Sequence, residues 1–108
     1  MNMSAEVVLV MSTFPNVEVA RAVAQELVQN QFVACVNILP KCESVYRWEE
    51  EIVTEDETLV LMKTTNKAVK QVVDFLNVNH PYSLPEVVGI SLEALSSRYR
   101  EWVVNSVV

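Results

Sequence analysis

From Phe32 to Thr65 the apolar and polar positions read as two β-strands of unusual length. One arm runs through Phe32, Val33, Ala34, Cys35, Val36, Asn37, Ile38 and Leu39, passes Pro40, and continues through Val45, Tyr46 and Trp48. The other begins at Ile52 and Val53 and runs through Thr58, Leu59, Val60, Leu61 and Met62. A typical strand has about five or six residues, so a hairpin of this length overshoots the body of a small sheet. Its projecting edges leave backbone groups unpaired, and further copies of the chain are expected to cover them. Tyr46 and Trp48 are the expected interface anchors, because aromatic side chains dominate such contacts.

The remaining pattern is compact. Glu6 to Met11 is an apolar run of strand length, continuous enough to be covered on both faces. Asn16 is placed to cap a helix in which Ala20, Val23, Ala24, Leu27 and Val28 recur at helical spacing, ending at Asn30. A second helix spans Asn66 to Asn79, with Pro81 barring its continuation. Glu86 to Ile90 reads as a short strand, and Ser97 to about Val107 as a third helix with Tyr99, Trp102, Val103 and Ser106 on one stripe. The order β-α-β-β-α-β-α is that of an α+β, ferredoxin-like split β-α-β fold with a C-terminal helix, its first and third strands central. Pro40 lacks a ladder donor and is expected to mark a bulge or a bend where the second strand leaves the body of the sheet.

Length and charge narrow the class further. The 108 residues are enough for one hydrophobic core and read as a single domain over 1–108. A net charge of −6 sets the field against nucleic acid phosphates and anionic lipid, so neither is an expected partner. Met1 to Glu6 shows no leader pattern, and no apolar stretch is long enough to span a bilayer. The chain therefore reads as soluble and cytoplasmic. Cys35 and Cys42 lie seven positions apart on one extended arm, roughly 20 Å by strand rise. That is beyond disulfide reach, and free thiols fit a reducing compartment. Their odd separation puts them on opposite strand faces unless a bulge at Pro40 restores parity.

Candidate chemistry is sparse. Gly89 is the only glycine, which excludes the usual glycine-rich phosphate loops. After the first strand, Ser12 to Asn16 supplies no arginine for an acylphosphatase site, and Pro15 removes a donor. Leu59 to Met62 offers no aromatic platform for RNA bases. No general base is paired with a nucleophile, so an enzyme is not expected. His80, the sole histidine, is either a metal ligand or proton carrier, or a structural group whose charge suits the helix C-terminus or whose ring caps a carbonyl. Glu49, Glu50, Glu51, Glu55, Asp56 and Glu57 form an acidic hairpin tip, read as a solvated cluster that discourages aggregation or as a loose cation trap. Lys63 either points into a cleft at the sheet edge or snorkels.

Taken together, Ala34-Cys35-Val36-Asn37-Ile38, Ser44-Val45-Tyr46-Arg47-Trp48-Glu49, Lys63-Thr64-Thr65, His80-Pro81-Tyr82 and Pro85-Glu86 resemble the CutA family of divalent-cation tolerance proteins. The match covers nearly the whole chain in order and spacing. It implies a homotrimer of ferredoxin-like subunits, similar to PII-type signalling proteins, with the hairpins packed between neighbours. It further implies a link to copper and other divalent cations without an established reaction. Where the family has glycine and lysine after Trp-Glu, this chain has Glu50 and Glu51. Where copper-binding members carry a cysteine near the end of strand one and a second histidine, it has Ser12 and Asn79. His80 and Cys35 are left as the candidate metal ligands. The alternative is a PII-like small-molecule sensor with intersubunit clefts, for which Lys63, Trp48, His80, Tyr82, Glu86 and Ser12 are the candidate lining.

Overall fold

The computed structural model describes residues 7–108, so the expectation about Met1 to Glu6 lies outside the described residues. The elements follow the order β1 (Val7–Phe14), α1 (Val17–Gln29), β2 (Cys35–Trp48), β3 (Glu51–Thr65), α2 (Val69–Asn79), β4 (Val88–Leu92) and α3 (Ser97–Ser106). They build one antiparallel sheet in the order β2-β3-β1-β4, with β1 and β3 central. Among the described residues, no helix is long and apolar enough to cross a membrane.

Strand parity divides the sheet into two unlike faces. Val8, Val10 and Phe14 of β1 and Val60 and Met62 of β3 lie beneath Ala20, Val23 and Leu27 of α1 and Val72 and Leu76 of α2, forming the main core. Asn16 caps α1 as its sequence predicts, its Oδ1 accepting from Val19 N at 2.9 Å. On the opposite face, Val103 of α3 packs with Val7 and Ala34 and covers one end of the sheet. Of the stripe expected on α3, Val103 is buried, whereas Tyr99 and Trp102 remain largely exposed. The rest of that face is open and apolar. Leu9, Met11, Leu59 and Leu61 are half-buried, and Leu39, Val88 and Ile90 stand exposed beside them.

Several boundaries differ from expectation, each for a reason of pairing. β1 continues through Ser12, Thr13 and Phe14 because β3 is long enough to pair with all three. α2 begins at Val69, since residues 66–68 form a turn in which Ala68 N reaches Thr65 O at 3.1 Å. β4 starts two residues late, at Val88, where pairing with Met11 begins; Glu86 and Val87 stay in the preceding loop.

The arm is the dominant feature. At about 3.3 Å per residue, the 14 residues of β2 extend about 46 Å, matching a molecule of 48 × 25 × 22 Å. The ladder shifts between Leu39 and Cys42: Leu39 opposes Leu59 and Cys42 opposes Glu57, so Pro40 and Lys41 together face Thr58. This is the bulge expected at Pro40, with Lys41 in the left-handed region at φ 63°. It restores parity, placing Cys35 and Cys42 on one face as free thiols far apart along the strand.

Trp48 pairs with Glu51, so the turn is the dipeptide Glu49-Glu50, with φ of 50° and 69°. Two positive φ values give the turn whose twist suits a hairpin, in which asparagine and glycine are favoured. Each glutamate there costs about 1–2 kcal/mol relative to a residue at ease in that region. Replacing Glu50 alone by Gly is expected to slow amide exchange in the outer arm about 5–30-fold, the effect of 1–2 kcal/mol. Unchanged exchange, measured by mass spectrometry, would show that the turn carries no such cost.

Candidate functional site

A cavity of about 650 Å³ lies where the arm meets the loop after α2. The arm contributes Tyr46 and Trp48 from β2 and Val53, Glu55 and Glu57 from β3. These share a face because Tyr46 opposes Val53, Ser44 opposes Glu55 and Cys42 opposes Glu57. The loop contributes Pro81, Tyr82, Ser83, Leu84 and Glu86, and β1 contributes Thr13. Pro81 ends α2 and turns the chain toward the arm.

Two phenol–carboxylate bonds define the polar side of this cavity. Tyr46 OH donates to Glu55 Oε1 at 2.5 Å, and Tyr82 OH donates to Glu57 Oε2 at 2.9 Å. The bond to Glu55, with some desolvation, pushes the Tyr46 hydroxyl up to about 12. Burial, then the bond to Glu57, raises Tyr82 as well. Both phenols hold their protons at neutral pH and stay donors. Glu57 is only 8% exposed, and no lysine, arginine or histidine is among the lining residues. The acidic tip thus divides: Glu49 and Glu50 form the turn, while Glu55 and Glu57 belong to the cavity.

His80 holds this arrangement from behind. Its Nε2 lies 2.8 Å from the Thr13 carbonyl, and its Nδ1 accepts from Tyr82 N at 3.1 Å. A carbonyl only accepts, so Nε2 carries the proton and the ring is the neutral tautomer. The ring stacks on Phe14 at 4.3 Å and leans on Tyr82 at 4.9 Å. Both nitrogens are engaged, so a metal can bind here only by displacing one of these bonds. The two sequence readings of His80 therefore meet a capping, bridging geometry.

The other candidates are dispersed. Trp48, Tyr82 and Glu86 come together in the cavity, with Tyr46 beside Trp48. Ser12 does not join them: its parity puts it under the helices, fully buried, with Oγ lacking a hydrogen-bond partner. Lys63 is on the open face, donating to Asn37 Oδ1, and is not in the lining. Cys35 opposes Lys63 and lies 3.4 Å from Tyr99 OH, a bond that drives the Tyr99 hydroxyl up to about 12. Since Lys63 opposes Leu9 whereas His80 binds at Thr13, Cys35 and His80 lie about four residues, or 13 Å, apart along the sheet and two strands across. The chain by itself does not unite them, and among the described residues no three His, Cys, Asp or Glu side chains converge on a metal position. Sequence reasoning missed Glu55 and Glu57 as lining groups. Their two-residue spacing on one strand is legible, but only the turn register sets them beside Tyr46 on a shared face.

Burial lowers the His80 pKa below its ordinary 6.5, outweighing the Thr13 carbonyl and the nearby Glu57, which act the other way. A depressed folded-state pKa means that the unfolded chain binds the proton more readily. The contribution of His80 is fully present above about pH 6.5 and is lost as pH falls from there through the folded value. Because His80 is the only histidine, urea unfolding between pH 7 and 5.5 should show falling stability in wild type and a flatter profile in His80→Gln. Parallel profiles would contradict the buried neutral ring.

The comparisons agree with one another. The family model described as CutA1 divalent ion tolerance protein matches residues 8–106. The chain is 41% identical over 98 residues to the divalent-cation tolerance protein CutA of Thermus thermophilus, covering 91% of this chain and 93% of that protein. It is 37% identical over 99 residues to the chloroplastic protein CutA of Arabidopsis thaliana, covering 92% of this chain and 54% of the relative, about half its length. The solved CutA1 structure from Oryza sativa matches with a TM-score of 0.94 at 32% identity, covering 99% of this chain and 98% of that one. The Thermus thermophilus Cut A1 structure matches at 0.91 and 36% identity, covering 94% and 99%. With its family match extending over nearly the entire described fold, the chain belongs to the CutA1 divalent ion tolerance protein family.

Proposed function

We propose that this protein is a non-enzymatic, cytoplasmic homotrimer of ferredoxin-like, PII-like subunits that binds or senses divalent metal, copper among them. The family match over residues 8–106 carries the metal reading, and relatives bear the name divalent-cation tolerance protein. The open apolar face of Leu39, Val88 and Ile90 supports assembly, because an exposed patch of this kind on a sheet marks a surface that another chain covers. The 14-residue edge strand β2 adds unpaired backbone groups that invite the same covering. Sedimentation equilibrium at low micromolar concentration is expected to report three chains. Trp48→Ala should weaken assembly more than Glu50→Ala. A stable folded monomer contradicts this reading.

The metal ligands are Cys35, on the open face where a second copy comes against it, and His80, which joins only by giving up the Tyr82 N–H bond. Thiolate and imidazole favour copper over magnesium or calcium. Calorimetry should show tighter copper binding than magnesium, weakened at least tenfold in Cys35→Ser and falling as acidification protonates the His80 imidazole. Copper binding unchanged in His80→Ala would leave the histidine purely structural. A second reading, a small-molecule sensor of PII-like logic, is favoured by one feature, the cavity of about 650 Å³ that brings Trp48, Tyr82 and Glu86 together.

A further inference from the structure

The setting of His80 ties its availability to the loop after α2. The ring is 8% exposed, clamped between Phe14 at 4.3 Å and Tyr82 at 4.9 Å. These contacts and both of its hydrogen bonds are made within the chain, so they need no neighbouring copy. Because Nε2 donates its proton to the Thr13 carbonyl, Nδ1 holds the one available lone pair of the neutral ring. That lone pair accepts from Tyr82 N at 3.1 Å, two residues along the chain.

The two nitrogens differ in what they offer a metal. A histidine that ligates through one nitrogen almost always gives the N–H of the other to a carbonyl, carboxylate or water, which fixes the ring. The Thr13 carbonyl already plays that part for Nε2. Nδ1 is therefore oriented as a ligand, and the Tyr82 N–H occupies it. Tyr82 is held in turn at its far end, where its hydroxyl donates to Glu57 Oε2 on β3 at 2.9 Å. One residue thus closes over the histidine and ties the loop to the arm.

We propose that Tyr82 is a latch over His80 Nδ1, so that metal at His80 and a closed loop over residues 81–86 exclude each other. The Nδ1 lone pair serves either the Tyr82 N–H or a cation, and Nε2 keeps its proton in both states. Opening carries Tyr82 away from the ring and loosens its bond to Glu57, so loading of His80 is reported at the base of the arm. The inference deepens the metal reading and rests on it. Coupling of this kind is reciprocal: a change that weakens the latch tightens the metal.

Zinc is the probe, because it is redox-inert and takes imidazole and thiolate ligands. Added to the intact protein, it should raise amide exchange in residues 81–86 and around Glu57, read by mass spectrometry. Tyr82→Phe keeps the ring and the N–H and removes only the hydroxyl. By calorimetry this variant should bind zinc about three- to tenfold more tightly than wild type, the scale of one net hydrogen bond. The gain should vanish when His80→Gln is added, which excludes capture of zinc by the freed Glu57. Circular dichroism and sedimentation confirm that the variants keep their fold and assembly.

Unchanged or weaker zinc binding in Tyr82→Phe overturns the latch, as does slower exchange of residues 81–86 on loading; binding that still depends on His80 then leaves the metal reading standing. Zinc binding that persists undiminished in His80→Gln, or a gain from Tyr82→Phe that survives it, also overturns the latch, since Nδ1 then takes no part. If neither zinc nor copper binds saturably, the latch and the metal reading fall together.

Discussion

The register between β2 and β3 is the constraint on which the rest of this molecule depends. The two strands pair from Cys35 opposite Lys63 out to Trp48 opposite Glu51, interrupted only by the Pro40-Lys41 bulge. Without that extra residue, every side chain beyond Leu39 on β2 would pass to the other face. Cys42, Ser44, Tyr46 and Trp48 instead stay on the face shared with Glu57, Glu55 and Val53, which is the face that meets the loop after α2. One added residue therefore decides which side of the arm is aromatic and acidic toward the body.

The arm is tied back to that body by short polar links rather than by a second core. Tyr82 reaches Glu57, His80 reaches Thr13 and Tyr82, and the His80 ring stacks on Phe14, whose side chain belongs to the main core. This chain of contacts runs from the interior beneath α1 and α2 to the base of the arm. It gives His80 a positioning role that is independent of any metal. It also makes the loop after α2 a common element of the core edge and the cavity, so that a change at either is felt at the other.

The two faces of the sheet carry different demands. The helix-covered face is closed within the chain, with Val72 and Leu76 fully buried. The opposite face is closed only where α3 lays Val103 against Val7. Across the remainder, Lys63 and Asn37 satisfy each other amid apolar neighbours, and Cys35 rests against Tyr99. Burying the apolar side chains of such a surface is worth about 25 cal/mol per Å² removed from water, and an exposed apolar patch of this kind is a surface that suits a partner.

Local pattern in the sequence determined much of this. The helical spacing and Asn16 cap of α1, the apolar runs of the central strands β1 and β3, the length of the arm and the bulge at Pro40 were all legible. Each rests on residues close together in the chain or on a backbone limit that a single residue imposes. The family was legible too, because several short blocks recur in order. Tertiary structure alone decided the rest. Ser12 is apolar-facing by parity, whereas Thr13 next to it lines the cavity. His80 spends both nitrogens within the chain, and Glu57 is buried against a tyrosine 25 residues away. These pairings join segments distant in sequence, and they depend on where a turn places its two residues and where a strand begins to pair. Periodicity along the chain carries no information about either until the strands are in register.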